Sequence, residues 1–127
     1  MDKEVSRGSE PPSFYASIIL EIPNGKKKTD LVDFLGKDIE IKQYTDFLEV
    51  TYLNTPRCMF WELDDVLSYL FSMCNLKQLE IAREQLDAKL WITISFYHKD
   101  SFPVLIIDSE NMAIIRRLQA CISIDPY

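Results

Sequence analysis

The sequence is poor in the residues that most often build metal and phosphate sites. Its 127 residues include one histidine, three cysteines and three glycines. Cys58, Cys74 and Cys121 are odd in number and widely spaced, and no CxxC pair occurs, so they do not form a zinc-binding pattern. We expect them to be small buried or half-buried thiols in a reducing cytoplasm. No glycine-rich loop accompanies the lysines at 26–28, which favours a solvated loop over a phosphate site. We expect no cofactor.

Long apolar runs are also absent. None reaches the roughly 18–20 residues that a membrane-spanning helix requires. The N-terminal stretch MDKEVSRGSEPPS is polar and lacks an apolar segment of the signal-peptide type. We therefore expect the protein to stay in the cytoplasm, where it is made.

Basic residues are in deficit. The chain has 14 Lys and Arg against 20 Asp and Glu, a net charge of −6. Partners such as nucleic acids and anionic membranes are bound through clustered Lys and Arg, so this balance argues against both. The segment 30–65 holds three basic and nine acidic residues, and the rest of the chain is nearly neutral. The acidity is therefore concentrated in one part of the sequence.

The length predicts one domain that can bury its own core. The charged stretch 1–12, with Gly8 and the Pro11-Pro12 pair, predicts a disordered tail, and we place the domain at 13–127. Two-residue alternation and β-prone composition predict strands at 13–22, 38–42, 47–53, 89–97, 104–107 and 121–125. Helical spacing predicts helices at 30–35, from 62 or 64 to 74, from 75 to about 87, and from 108 or 109 to 120. Thr29 and Asn75 are the expected N-caps of the first and third helices. In the last helix we expect Met112, Ile115 and Leu118 to be buried.

The stretch 89–108 is the expected centre of the fold. Leu90, Ile92, Ile94 and Phe96 alternate with polar or amphipathic residues, whereas 104–107 is apolar throughout, as in a strand covered on both faces. We predict an antiparallel hairpin with its turn at 98–101. The order β-α-β-β-α-α-β-β-α-β predicts an α+β fold. It should be a single twisted, mainly antiparallel sheet of five to six strands, with helices on one face and ferredoxin-like elements at the start.

Several segments together resemble the bacterial domain-of-unknown-function 4279 family. They are the opening strand SFYASIILEI, a short helix ending in DFLG, the tryptophan-led helix WELDDVLSYLF and the terminal ISIDPY. The resemblance spans roughly 13–127. It implies an α+β fold, a bacterial setting and no activity. Some members look like immunity proteins encoded beside toxin genes.

The sequence offers little to an enzyme. His98 is the single histidine and falls in the expected turn, where a solvated position is the better interpretation. The carboxylates of Glu62, Asp64 and Asp65 fit a metal or acid–base group, but acids are favoured in the first turn of a helix in any case. We predict neither catalytic residues nor metal ligands.

A binding role is the preferred hypothesis. Aromatic residues flank or interleave the acids between 38 and 65. An acidic surface speeds association with a basic protein. We predict a non-enzymatic immunity protein that neutralises a basic, nuclease-type toxin by direct contact. The alternative is a small-molecule-sensing ferredoxin-like module. The predicted partner-binding residues are Glu40, Tyr44, Asp46, Glu49, Trp61, Glu62, Asp64 and Asp65.

Overall fold

The computed structural model describes residues 12–99 and 103–126. Within them the chain forms one sheet and four helices. In chain order the elements are β1 (Ser13–Pro23), α1 (Lys28–Leu35), β2 (Glu40–Gln43), β3 (Phe47–Asn54), α2 (Leu63–Ser72), α3 (Leu76–Gln85), β4 (Lys89–Tyr97), α4 (Ser109–Leu118) and β5 (Cys121–Pro126). The predicted tail at 1–12 lies, except for residue 12, outside the described residues.

The sheet has the order β2-β3-β1-β4-β5. β1 is antiparallel to both β3 and β4, and β2 is antiparallel to β3. β3 therefore lies between β1 and β2, which run in the same direction, as in a ferredoxin-like split β-α-β unit. α4 then leads to β5, which pairs parallel with β4 at the edge. The predicted α+β class with ferredoxin-like elements is confirmed.

One face of the sheet carries the core. The even-numbered residues of β1 and β4 are buried, and the odd-numbered ones are mostly half-buried or exposed, as strand alternation requires. Each of the four helices contributes its apolar stripe to the same cluster, for example Leu31, Leu67, Leu79 and Leu118. The helices therefore pack on one face, as expected. Among the described residues no helix is long and apolar enough to cross a membrane.

The predicted hairpin at 89–108 is wrong in its second half. β4 forms as expected, but its neighbours are β1, which matches all nine of its residues, and β5. The segment 104–107 is neither strand nor helix, and Val104 and Ile106 are 70% and 64% exposed. Its composition suits a strand, but it has no two-residue period, and the long pairing with β1 already occupies one edge of β4. The predicted turn falls partly at 100–102, outside the described residues.

Helix ends differ from expectation in smaller ways. α1 begins at Lys28, two residues before the predicted start, with Lys27 at the N-cap instead of Thr29. Asn75 caps α3 as predicted, because its side chain accepts the backbone N–H of Gln78 at 3.1 Å. In α4 the prediction that Met112 is buried is wrong, since Met112 is 44% exposed and Asn111 takes the inward position.

Candidate partner-binding site

The eight predicted binding residues fall into two groups. Tyr44, Asp46 and Glu49 lie toward one end of the sheet, with Glu40 nearer its middle, and Trp61, Glu62, Asp64 and Asp65 lie at the other end. Phe47, after the β2–β3 turn, pairs with Pro23 at the end of β1. Phe60, just before α2, forms an isolated bridge with Phe14 at the start of β1. Phe14 and Pro23 are nine residue steps apart along β1, or roughly 30 Å at the rise of a β-strand. The predicted set therefore does not form one continuous surface patch.

The first group lies on the β2–β3 hairpin. Tyr44 is exposed and stacks on Phe47 at 4.9 Å between ring centroids. Asn24 fixes the turn, because its side-chain amide donates to the backbone oxygen of Thr45 at 2.8 Å. Asp46 is exposed in the same turn. These contacts explain the turn by local structure, with no partner required.

Glu49, in the same group, has both a basic and an acidic residue opposite it in the sheet. Glu49 lies opposite Lys42 of β2 and opposite Glu21 of β1, and Glu21 lies opposite Lys89 of β4. Side chains at directly opposite positions of a sheet share a face about 4.5–5.5 Å apart at Cβ. This row holds two acids and two bases, so it offers no net negative charge to a partner. Glu40 is exposed beside it.

The second group stands where the chain enters α2. The backbone N–H of Phe14 donates to the carbonyl oxygen of Phe60 at 2.8 Å and holds this entry against β1. The next residue, Trp61, leaves 62% of its side chain exposed, and Met59 leaves 58%. Glu62 is the N-cap residue of α2 and makes no side-chain capping bond. An exposed tryptophan at a fixed backbone position is typical of a contact residue.

Asp64 is used to join two helices. Its Oδ1 accepts the backbone N–H of Asp108 at 3.0 Å and the side-chain amide of Asn111 at 2.8 Å. The N–H of Asp108, followed by the amide of Asn111, holds the pKa of Asp64 below its ordinary value. The Asn111 amide also donates to Ser68 Oγ at 3.0 Å, which satisfies an otherwise costly buried polar group.

This junction enlarges the acidic group in a way the sequence did not indicate. It places the N-terminus of α4, with the exposed acids Asp108 and Glu110, beside the N-terminus of α2, with Glu62 and Asp65. Acids from positions more than 40 residues apart therefore meet at one end of the molecule. Each of them sits in or next to a first helical turn, where the helix dipole favours negative charge.

A groove of about 430 Å³ runs between this acidic end and the segment after β4. We call it the Trp61 groove. It is lined by Pro12, Trp61, Glu62, Leu63, Asp64, Pro103, Val104 and Ile106. The charged residues in this lining are both acidic. Val104, Leu105 and Ile106 are three consecutive large apolar residues that are all exposed, and contiguous apolar surface is typical of interaction sites.

Sequence reasoning missed 104–106 as surface residues because it placed them inside a doubly covered strand. One signal was available. Asp108 caps α4, so that only four residues separate Pro103 from the cap. A segment that short, with no alternation, has little room to form a strand and then turn into a helix.

The chemistry of the remaining polar groups is limited. Across 12–99 and 103–126, no three His, Cys, Asp or Glu residues are grouped as metal ligands. His98 is half-buried and stacks on Phe96 at 5.7 Å, so it is less solvated than predicted. Burial raises the pKa of the Cys74 thiol to about 11. A second cavity of about 310 Å³ lies at the other end of the sheet, with Lys26 and Lys28 in its lining.

In comparisons with known proteins, no protein-family model, curated protein or solved structure matches the chain.

Proposed function

We propose that the protein is a non-enzymatic binding protein that docks a basic protein partner in the Trp61 groove. The observation that carries the proposal is the groove itself. It combines an exposed tryptophan, an exposed apolar segment at 104–106 and a rim of carboxylates. No basic residue is among its described lining residues.

The arrangement matches the usual anatomy of a protein interface. A large aromatic anchor such as Trp61 supplies most of the binding energy when a partner removes it from water. Apolar neighbours such as Val104 and Ile106 exclude water around the anchor. Charged residues at the rim, here Glu62 and Asp65, steer association more than they strengthen the final complex. The proposed partner should therefore present an apolar side chain surrounded by Lys or Arg.

The sequence supports a particular class of partner protein. A net charge of −6 suits a protein that covers the basic surface of a nuclease, since such a surface is built to bind phosphates. The resemblance to the domain-of-unknown-function 4279 family favours an immunity role in bacteria. We therefore propose a nuclease-type toxin, neutralised by direct contact, as the partner.

The test is co-purification with the product of the neighbouring gene, followed by measured association rates at low salt. Trp61→Ala should weaken binding by about 30-fold or more, mainly through faster dissociation, because it removes the anchor. Asp65→Lys should slow association about three- to tenfold.

The other predicted group gives the matched control. Asp46→Lys makes the same charge reversal at the far end of the sheet, and it should change the association rate much less. Equal effects of Asp46→Lys and Asp65→Lys would remove the Trp61 groove from the interface. If no basic protein is retained at low salt, the proposed function itself fails.

The second candidate is a module that senses a small molecule. The two cavities, of about 430 and 310 Å³, fall within the range of small-ligand sites, about 300–1,000 Å³. A ligand that binds only the folded state must raise the unfolding temperature. A metabolite screen in which one compound stabilises the protein, and Trp61→Ala abolishes that effect, would favour this function over protein binding.

A further inference from the structure

Resting on the proposed function, we infer how the partner engages the groove: it adds an extended segment whose backbone pairs with residues 104–107. The partner segment would alternate basic and apolar side chains. This mode, strand addition, takes part of its affinity from main-chain hydrogen bonds and its specificity from alternate side chains.

The first observation is an unused hydrogen-bonding backbone. Among the described residues, none accepts from or donates to the backbone of Val104, Leu105, Ile106 or Ile107. Backbone N–H and C=O groups beside exposed apolar side chains form a template for another chain. The residues are Val, Leu, Ile and Ile, a β-prone set that suits pairing.

The second observation is that both ends of the segment are held. Pro103 is buried at one end. At the other end Ile107 packs against the core, and Asp108 is bound through its N–H to Asp64 and caps α4. A segment fixed at both ends loses less conformational freedom on binding, and this preorganisation favours pairing.

The surroundings define the side chains of the partner. In an extended segment, alternate side chains point to opposite faces. The apolar side chains would contact Trp61 and the apolar lining of the groove, and the long basic side chains would reach the carboxylates around it, such as Glu62. An isolated two-stranded ribbon is marginally stable in water, so these side-chain contacts must add to the backbone bonds. Alternating Val and Lys supplies both kinds of side chain.

A second copy of this chain is a poorer occupant. Its own acidic end would approach the acidic rim of the groove, and like charges brought together oppose association. The net charge of −6 adds to this repulsion at low salt. Charge complementarity therefore selects a basic partner.

The experiment titrates the ¹⁵N-labelled full chain with the peptide acetyl-Lys-Val-Lys-Val-Lys-Val-Lys-amide at low salt. We expect shifts at residues 104–107 and Trp61, and amide exchange at 104–107 slowed about tenfold or more in the complex. Two N-methylated forms of this peptide are then compared. One carries methyl groups on the backbone amides of its valines, and the other carries them on the backbone amides of its lysines. These positions lie on opposite edges of an extended strand. One form should bind about tenfold more weakly, and the other should bind like the parent.

Leu105→Pro and Ile106→Pro test the same point from the protein side. Each removes an N–H that bonds no described residue, so the unfolding temperature should change little, and one of the two variants should lose peptide binding.

Equal binding by both N-methylated peptides would overturn strand addition, yet it would leave docking of a basic partner in the Trp61 groove intact. No binding of the parent peptide would also overturn strand addition, and the proposed function would then stand or fall on the neighbouring gene product. A dimer of the protein alone that Leu105→Pro dissociates would overturn the basic partner and assign the segment to a second copy.

Discussion

Asp64 has two roles: it belongs to the acidic end of the molecule, and it also holds α4 against α2. Its Oδ1 accepts one backbone and one side-chain N–H, so a partner that pulled on this carboxylate would compete with the fold. Glu62 and Asp65 are exposed, and no described residue forms a hydrogen bond with either side chain. Among the predicted acids at this end of the sheet, these two are the ones that remain available to a partner.

The lowered pKa of Asp64 makes its contribution to stability depend on pH. A carboxyl group whose pKa is lower in the folded state stabilises the fold above its unfolded value, about 3.9, and loses that effect as the pH falls through the folded value. Asp64→Asn keeps an acceptor and removes the charge. We expect it to lower the free energy of unfolding by about 1 kcal/mol at pH 7, and Asp64→Ala by about 2 kcal/mol.

Urea denaturation at pH 7 and pH 3 measures this effect. The difference between the parent and Asp64→Asn should shrink at pH 3, which is below the unfolded value, because the unfolded carboxyl then holds its proton and folding must release it. Asp65→Asn, one residue along the same helix, is the control and should show a much smaller difference at pH 7. A gap between the parent and Asp64→Asn that stays constant over this range would contradict the assignment.

Two of the cysteines should differ sharply in reactivity. The Cys74 thiol is partly buried and donates to the carbonyl oxygen of Leu70 at 3.1 Å, and burial raises its pKa to about 11. At pH 7 only about one such thiol in 10,000 is the reactive thiolate. Cys58 is exposed. With iodoacetamide at pH 7 to 8, mass spectrometry of digests should show Cys58 modified first and Cys74 last. Faster labelling of Cys74 would contradict its burial.

At the scale of single elements, the C-terminal ends of α2 and α4 are opposite in conformation. Gln119 ends α4 with φ 52° and ψ 41°, a left-handed geometry that favours glycine, whereas Met73 ends α2 with φ −86° and ψ −11°. Gln119→Gly should therefore raise the free energy of unfolding by about 0.5–1 kcal/mol, and Met73→Gly should lower it by a similar amount. Thermal unfolding measures both, and shifts in the same direction would contradict this account.

The elements that sequence alone could predict are those with a clear period. β1 and β4 alternate over their whole length, and the spacing of Leu63, Val66, Leu67 and Leu70 indicates α2 without any tertiary information. The segment 104–107 has apolar composition but no period, so its prediction depended on what would cover it. In the structure β4 pairs with β1 and β5, so no edge of β4 is left for residues 104–107. This pairing is a property of the assembled sheet and cannot be read from the segment itself.

The candidate site was half predictable for the same reason. Trp61, Glu62 and Asp65 are adjacent in sequence, and their exposure follows from their place at a helix start. The structure adds Asp108, Glu110 and Val104 to them, because α4 docks on α2 through Asn111. The helical pattern favoured burial of the next residue, Met112, and gave no sign that the polar Asn111 would face inward. Asp46, by contrast, is closer to Trp61 in sequence than Asp108 is, yet it lies at the other end of the sheet.

For the molecule as a whole, α4 and β5 are an addition to a ferredoxin-like unit and also part of its core. Leu118 is fully buried and Ile115 is 7% exposed, and both pack in the single apolar cluster. Loss of one such side chain typically costs about 2–5 kcal/mol, against a net stability of about 5–15 kcal/mol for a domain. The first four strands therefore should not hold together without them.

A chain that ends at Lys99 tests this dependence. It keeps β1 to β4 and their three helices, but it leaves one edge of β4 unpaired. It also uncovers Ile92 and Ile94, which in the full chain lie opposite Ile122 and Ile124 of β5. We expect no cooperative thermal transition by circular dichroism and strong binding of a hydrophobic dye. A chain that starts at Pro12 is the control, because the sequence predicts a disordered tail before that point, and its unfolding midpoint should equal that of the full chain. A cooperative transition in the chain ending at Lys99 would show that the ferredoxin-like unit folds alone, and the role of α4 would then reduce to bringing its acids and the 104–107 segment to the Trp61 groove.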